Sequence, residues 1–249
     1  MPDAYERLLV PMLFQPYARD LTRRVADLGP QQVLELAAGT GVVTRELTRV
    51  LDAEIVATDL SDAMLEVGRA NAPHATWRQA DALDLPFDDA SFDVVVCEFG
   101  VMFFPDRPRA FREARRVLRP YGTLLFNTWG TVEQNVFAGA FLAGLDRAVG
   151  DQLPYLGIPY GYNDLAVIDA DVRAGGFDDV DIETVEFDGI APSAAVVAAG
   201  YFHGTPLGAV LEQRGDADAL LAVVTDEIER RLGTGEVRGN LVAHVVTAS

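Results

Sequence analysis

Along the first half of the chain, short apolar runs alternate with stretches whose apolar positions recur at helical spacing. The runs "QVLELA" (32–37), "EIVATD" (54–59), "ATWRQAD" (75–81), "FDVVVCEF" (92–99) and "TLLFNTW" (123–129) predict strands. Between them, Val42–Leu51, "DAMLEVGRANA" (62–72) and "RPRAFREARRVL" (107–118) predict helices, with Ser61 as N-cap of the second and Pro120 and Gly122 ending the third. Strand and helix taking turns in this way imply βαβ units and a parallel sheet. Residues 5–28 predict one or two helices with Pro11 and Pro16 between them.

Beyond residue 130 the pattern changes. A helix over 132–149 leads into a loop rich in Pro, Gly and Tyr, "DQLPYLGIPYGYND" (151–164). A helix over 165–173 and a strand "VDIETVEF" (180–187) follow. Helices are predicted at 193–202 and 216–232, and a last apolar strand, "LVAHVVTA", covers 241–248. No stretch has linker composition, so the expectation is a single domain over 1–249 with helical insertions. A loop as long as 150–163 is uncommon without a task, such as covering a pocket.

Composition narrows the partners. The 249 residues carry 38 acidic against 20 basic side chains, a net charge of −18, and every basic residue is arginine. A surface so acidic repels nucleic acid, whose binding rests on neutralising phosphates, and is a poor match for a membrane surface. The absence of lysine also excludes a lysine nucleophile. No apolar stretch reaches the ~18 residues of a membrane helix. The start of the chain lacks the basic residues of a secretory signal, and the single cysteine, Cys97, cannot form an internal disulfide. Together these set cytoplasmic as the expected location. Acids are abundant, but no spacing argues for a metal site.

In open parallel sheets, ligands sit at the carboxyl ends of the strands where strand order switches. The first such end here, Ala37–Gly41, is nearly stripped of side chains and opens a helix, with Glu35 just before it. The second ends in Asp59, 18 residues after Gly41, where a carboxylate can accept both hydroxyls of a ribose; Leu60 beside it offers an apolar face to a purine. The third ends in Asp81–Ala82, placed to accept from an exocyclic amine, and the fourth in Cys97–Glu98–Phe99–Gly100. For any one of these the plain reading is a tight turn or a helix cap; their joint order points to an adenosine with a polar tail. A dinucleotide fingerprint would need glycine at the third position of G-x-G-x-x-G, and Thr44 stands there instead. Glu35 beside the turn also disfavours a pyrophosphate and suits a cationic cofactor with an amino group, such as S-adenosylmethionine (SAM).

At these residues the chain resembles a family. "VLELAAGTG", "ATDLSDAML", "QADALDLPFDDASFDVVVCEFGVMFFPD" and "REARRVLRPYGTLLF" look like the class I SAM-dependent methyltransferases, in the ubiquinone/menaquinone-biosynthesis-like (methyltransferase type 11) group, over about residues 30–130. The resemblance implies an α/β, Rossmann-like fold: a seven-stranded, mostly parallel sheet with an antiparallel last strand and helices on both faces. Helical insertions over about 1–28, 131–175 and 190–235 would cover the substrate side. It further implies that Glu35, Ala37, Gly39 and Gly41 cradle the methionine part of SAM and that Asp59 holds the ribose. Leu60 and Met64 would lie on the adenine ring, Asp81 and Ala82 at its edge, and Cys97, Glu98 and Phe99 near the amino acid and sulfonium. Tyr17 would close over the cofactor's carboxylate or serve in packing. Three positions depart from the pattern: Ala37 for glycine, Glu98 where glutamine is common, and Tyr121 in the usual Pro-Gly-Gly.

The expected reaction is methyl transfer from SAM to a small apolar or aromatic acceptor, giving S-adenosylhomocysteine (SAH). The alternatives are a Rossmann-type NAD-dependent oxidoreductase and a non-catalytic SAM-binding protein. Alignment of acceptor and methyl in a dry site supplies much of such a rate, and a base is needed only if the acceptor must lose a proton. Of the three histidines, His74 reads as surface and His244 as a strand residue. His203, in "GYFHGTPLG", is the candidate catalytic base, against a capping or gating role. Phe103, Trp129, Tyr155, Tyr160 and Tyr201 are the candidate substrate walls, against ordinary core packing.

Overall fold

Val33 and Leu34 are wholly buried, as a central strand flanked on both faces requires, and they form β1 (Gln32–Glu35). The computed structural model describes residues 1–150, 157–212 and 216–249. Around β1 lie β2 (Glu54–Asp59), β3 (Thr76–Gln79), β4 (Phe92–Glu98), β5 (Leu118–Trp129), β6 (Val180–Ala191) and β7 (Val237–Ala248). They form one seven-stranded sheet in the order β3-β2-β1-β4-β5-β7-β6. The pairs β1–β2, β1–β4, β2–β3 and β4–β5 are parallel. Strand β7 runs antiparallel to β5, with Leu124 opposite Ala248 and Trp129 opposite Ala243. This is the expected sheet, and the order reverses at β1/β4, which places the switch point there.

Two compact units divide the described residues. One comprises 17–129, 161–185 and 243–249; the other comprises 1–16, 130–160 and 186–242. In the first, α3 (Val42–Val50), α4 (Asp62–Asn71), α5 (Arg107–Val117) and α8 (Leu165–Ala174) join the strands. Ser61 caps α4 by accepting from the Met64 amide, as expected. Helix α8 packs on α5 through Gly175, whose absent Cβ would lie 2.3 Å from that of Phe111.

The second unit is mainly helical. α6 (Val136–Val149) packs on α11 (Ala217–Leu232), Gly144 resting against Val224. The Asn135 carboxamide fixes the start of α6, accepting from the Val242 amide at 3.0 Å and donating to the Val242 carbonyl at 3.1 Å. α7 (Gly157–Tyr160), α9 (Ala194–Gly204) and α10 (Leu207–Glu212) complete it.

Four local expectations change. The N-terminal segment does not break at Pro11. After α1 (Pro2–Ala4) a π-helical stretch, Tyr5–Phe14, carries Pro11 and hands on to α2 (Gln15–Leu28), the Gln15 amide reaching back five residues to the Val10 carbonyl. The wider turn makes room for the pyrrolidine ring. Pro120 and Gly122 do not terminate α5; they lie inside β5, which pairs Leu118 with Phe92 and then shifts register before Thr123 meets Val94. Tyr121, at φ 67°, sits in that bulge, where a strand tolerates proline. The segment 157–160 of the expected loop is a helical turn, and α10 was not marked by any periodicity.

Candidate functional site

The turn after β1 is built from backbone in the left-handed region, with Ala37 at φ 51°, Gly39 at 56° and Gly41 at 85°. It is pinned on both sides. The Leu36 amide donates to the Val96 carbonyl of β4, and the Ala38 amide to the Thr58 carbonyl of β2. The two glycines have separate reasons. A Cβ on Gly41 would come within 2.8 Å of the Trp77 ring, whereas one on Gly39 would meet nothing within 4 Å. Gly41 is therefore required by packing, and Gly39 leaves bare backbone facing open space.

Asp59 ends β2 with both carboxylate oxygens anchored. Oδ2 accepts from the Gly39 amide and Oδ1 from the Ser61 amide, each at 2.8 Å. A carboxylate offers about four acceptor sites, so a fixed and oriented Asp59 still has capacity for hydroxyl donors. Leu60 next to it is 68% exposed, and Met64 is half-buried in the first turn of α4. Asp81 is exposed and closes its own turn, accepting from the Leu83 amide at 2.9 Å; Ala82 is half-buried beside it.

Glu35 is 1% exposed, and its Oε2 accepts from the Thr44 hydroxyl at 2.6 Å. Burial, opposed by that hydrogen bond and aided by Asp59, pushes its carboxyl up to about 8. Thr44, which the sequence showed only as a missing third glycine, is thus the donor that holds Glu35.

At the end of β4, Cys97 is wholly buried and its thiol is pushed up by that burial. Glu98 has a buried Oε1 without a hydrogen-bond partner, and burial beside Glu35 raises its carboxyl well above the usual range. Phe99 turns into the left-handed region at φ 47°, where its amide donates to Asn127 Oδ1 of β5 at 2.8 Å. Its ring stacks on Trp129 with centroids 3.7 Å apart, and Tyr17 meets both rings edge-on at 5.1 and 5.4 Å. Tyr17 is fully buried, and its hydroxyl donates to the Val185 carbonyl at 3.3 Å. Register places four polar side chains on one face of the sheet. Glu35 pairs with Ala57 and Val96, two residues before Asp59 and Glu98, and Glu98 pairs with Asn127. Asn127 is fully buried with an unpartnered Nδ2. The sequence reading missed it, although an asparagine inside "TLLFNTW" was the available signal.

All thirteen residues marked for the cofactor lie in the first unit, as do Trp129 and Phe103; Phe103 is 59% exposed, in a short 3-10 turn over Val101–Phe103. Tyr160, Tyr201 and His203 lie in the second unit. There Tyr160 and Tyr201 are buried with hydroxyls 3.3 Å apart, and Phe141 stacks on Tyr201 at 4.9 Å. His203 is exposed, edge-on to Phe202 at 5.1 Å. Tyr155 lies outside the described residues. His244 of β7 bonds through Nδ1 to the Thr184 hydroxyl at 3.0 Å, consistent with the strand role. Among the described residues no His, Cys, Asp and Glu group is arranged to hold a metal ion, and no helix is long and apolar enough to cross a membrane.

A Gly-rich turn, an anchored acid and a run of carboxyls at the switch point are the arrangement with which open α/β sheets bind nucleotide cofactors. Residues 34–126 match the family model described as a methyltransferase domain. The chain is similar to a demethylmenaquinone methyltransferase of Mycobacterium bovis, 42% identical over 135 residues, 53% of this chain and 56% of that protein. It is also similar to the ubiquinone/menaquinone biosynthesis C-methyltransferase UbiE of Idiomarina loihiensis, 41% identical over 102 residues, 38% of this chain and 41% of that one. The chain thus spans about half the length of the curated relatives it matches. Among solved structures, the YcgJ protein of Bacillus subtilis shares the fold with a TM-score of 0.60 and 20% identity, over 93% of this chain and 97% of that one.

Proposed function

We propose that this protein transfers a methyl group from SAM to a small apolar or aromatic acceptor and releases SAH. The observation that carries the reading is the face shared by Glu35, Asp59 and Glu98, an acidic set in which no cation among the described residues pairs with Glu35 or Glu98, beside a Gly39 that leaves open space. Such an acceptor set fits a ligand with ribose hydroxyls and net positive charge, and it opposes a pyrophosphate. The names of the quinone-methylating relatives support an aromatic acceptor. In this reading Glu35, Ala37, Gly39 and Gly41 hold the methionine part, Asp59 takes the ribose, and Leu60 and Met64 flank the adenine. Asp81 and Ala82 meet its edge, and Cys97, Glu98 and Phe99 border the amino acid and sulfonium.

When bound, SAM supplies a methyl carbon already activated by its sulfonium. The chain's own contribution is then alignment and exclusion of water, to which the Tyr17–Phe99–Trp129 cluster is suited. Where the acceptor must lose a proton, His203 is the proposed base, with Tyr160 and Tyr201 as acceptor walls. The same reading treats 1–249 as one methyltransferase domain acting in the cytoplasm on a small molecule, without nucleic acid.

Calorimetry with SAM, SAH and NAD tests the cofactor: SAM and SAH bind and NAD does not, whereas binding of NAD alone overturns the proposal. Asp59→Ala weakens SAM and SAH alike by about tenfold or more, since a hydrogen bond to a charged group is worth about 1.5–3 kcal/mol. Full SAM affinity in that variant would refute the ribose assignment. Turnover is read from labelled SAM with phenols, quinols and amines. Binding without transfer to any of them favours a SAM-binding protein.

A further inference from the structure

Glu98 and Asn127 are neighbours in register on β4 and β5, and their chemistry is complementary, a carboxyl facing a carboxamide. Even so, Glu98 Oε1 and Asn127 Nδ2 are both buried and neither has a hydrogen-bond partner. Asn127 is fully buried and spends its Oδ1 on the Phe99 amide. Buried polar atoms are nearly always satisfied, so two bare ones side by side at a strand end mark a place where a ligand completes the set. The surroundings say what kind of ligand.

The charged or titratable groups around Glu98 are Glu35 on β1, Asp59 beyond it on β2 and the neutral Cys97 thiol on its own strand; β5 contributes the uncharged Asn127. Among the described residues no arginine or histidine pairs with Glu98. Glu35 differs from it in having the Thr44 hydroxyl as a donor. No neighbouring cation therefore offsets a negative charge on Glu98, and desolvation, with Glu35 nearby, raises its carboxyl well above the usual range. The missing component is a cation.

We propose that Glu98 reads the charge on the cofactor's sulfur, ionising beside the sulfonium of SAM and staying neutral beside the thioether of SAH. The site then grips the methyl donor more tightly than the spent product. This rests on the SAM reading above. The proton count balances. Glu98 gives one proton to solvent as SAM binds. In the transfer the sulfur–methyl bond breaks with its electron pair returning to sulfur, and the acceptor–methyl bond forms. Glu98 then takes up one proton, equal in number to the one a hydroxyl or amine acceptor gives up. Asn127 positions this end of the strand through Phe99.

Calorimetry of SAM and SAH in buffers of different ionisation enthalpy gives the test, run at about pH 6.5, where the amino groups of both ligands are protonated. The wild-type protein is expected to release up to one more proton with SAM than with SAH. SAM affinity should rise with pH more steeply than SAH affinity. In Glu98→Gln the difference in proton count disappears, and the preference for SAM over SAH falls about tenfold or more, the size of an opposite-charge contact. Asp59→Ala, by contrast, leaves that preference in place while weakening both ligands. Equal proton counts in the wild type overturn the proposal, as does a preference that survives Glu98→Gln. The wild-type count decides the matter even where the variant does not fold. Failure of both SAM and SAH to bind instead overturns the cofactor reading on which the proposal stands.

Discussion

Gly39 and Gly41 are two residues apart, both at positive φ, and the sequence offers one motive for both, a turn without side chains. Their surroundings separate them. Gly41 faces the Trp77 ring at 2.8 Å and Gly39 faces open space. Gly41→Ala is expected to cost about 1–3 kcal/mol of stability, from strain at a left-handed residue and overpacking. Denaturant unfolding measures it. Gly39→Ala carries the strain without the clash, a penalty of about 1–2 kcal/mol that Ala37 already bears at φ 51° in the same turn. Its larger effect should appear in calorimetry as a loss of SAM affinity of about tenfold or more, since a methyl would fill the space the backbone leaves bare. Equal effects of the two substitutions on stability would contradict this division. Thr44 makes the same point: the sequence showed an absent glycine, and the structure shows the donor on Glu35.

At the scale of elements, β1, β2, β4, α3 and α4 appear within a residue or two of their expected limits, because an apolar run or a helical stripe between caps fixes each locally. The exceptions depend on partners. β5 begins at Leu118 because Phe92 pairs with it, and Pro120 is tolerated only through a bulge that no local pattern announces. The π-helical stretch keeps the chain helical past Pro11. The α6–α11 pair illustrates packing overriding propensity. Alanine is about 1 kcal/mol better than glycine inside a helix, yet a Cβ at position 144 would lie 2.8 Å from Val224 Cα. Gly144→Ala is therefore expected to lower the unfolding midpoint, with a net loss of about 1–3 kcal/mol. A rise in midpoint would show that the two helices can part at little cost.

For the molecule as a whole, the buried carboxyls set a pH dependence. Glu35 has its pKa raised in the folded state from 4.5 to about 8, and Glu98 is raised as well. Between those values the folded state holds protons the unfolded state has lost, so this contribution to stability is complete below about 4.5 and is lost as pH rises through about 8. The free protein should melt at progressively lower temperature from pH 5 to pH 8.5, and Glu35→Gln should flatten that slope. An unchanged slope in the variant would remove Glu35 as its source. Glu227 behaves oppositely, held down to about 2 by Arg230 and Arg231.

The sequence alone determined the succession of strands and helices along the chain and the identity of the carboxylates at the strand ends. Those properties follow from local periodicity, and from the rule that loops at strand ends in a parallel sheet carry the ligand groups. Tertiary structure decided which atoms are left with work to do. It showed that Asp59 is anchored by Gly39 and Ser61, that Asp81 closes its own turn, and that Glu35 has a donor in Thr44. It showed also that the side chains of Glu98 and Asn127, distant along the chain, stand in register without bonding to each other. Burial and hydrogen-bond satisfaction are sums over neighbours distant in sequence, and no window along the chain contains them.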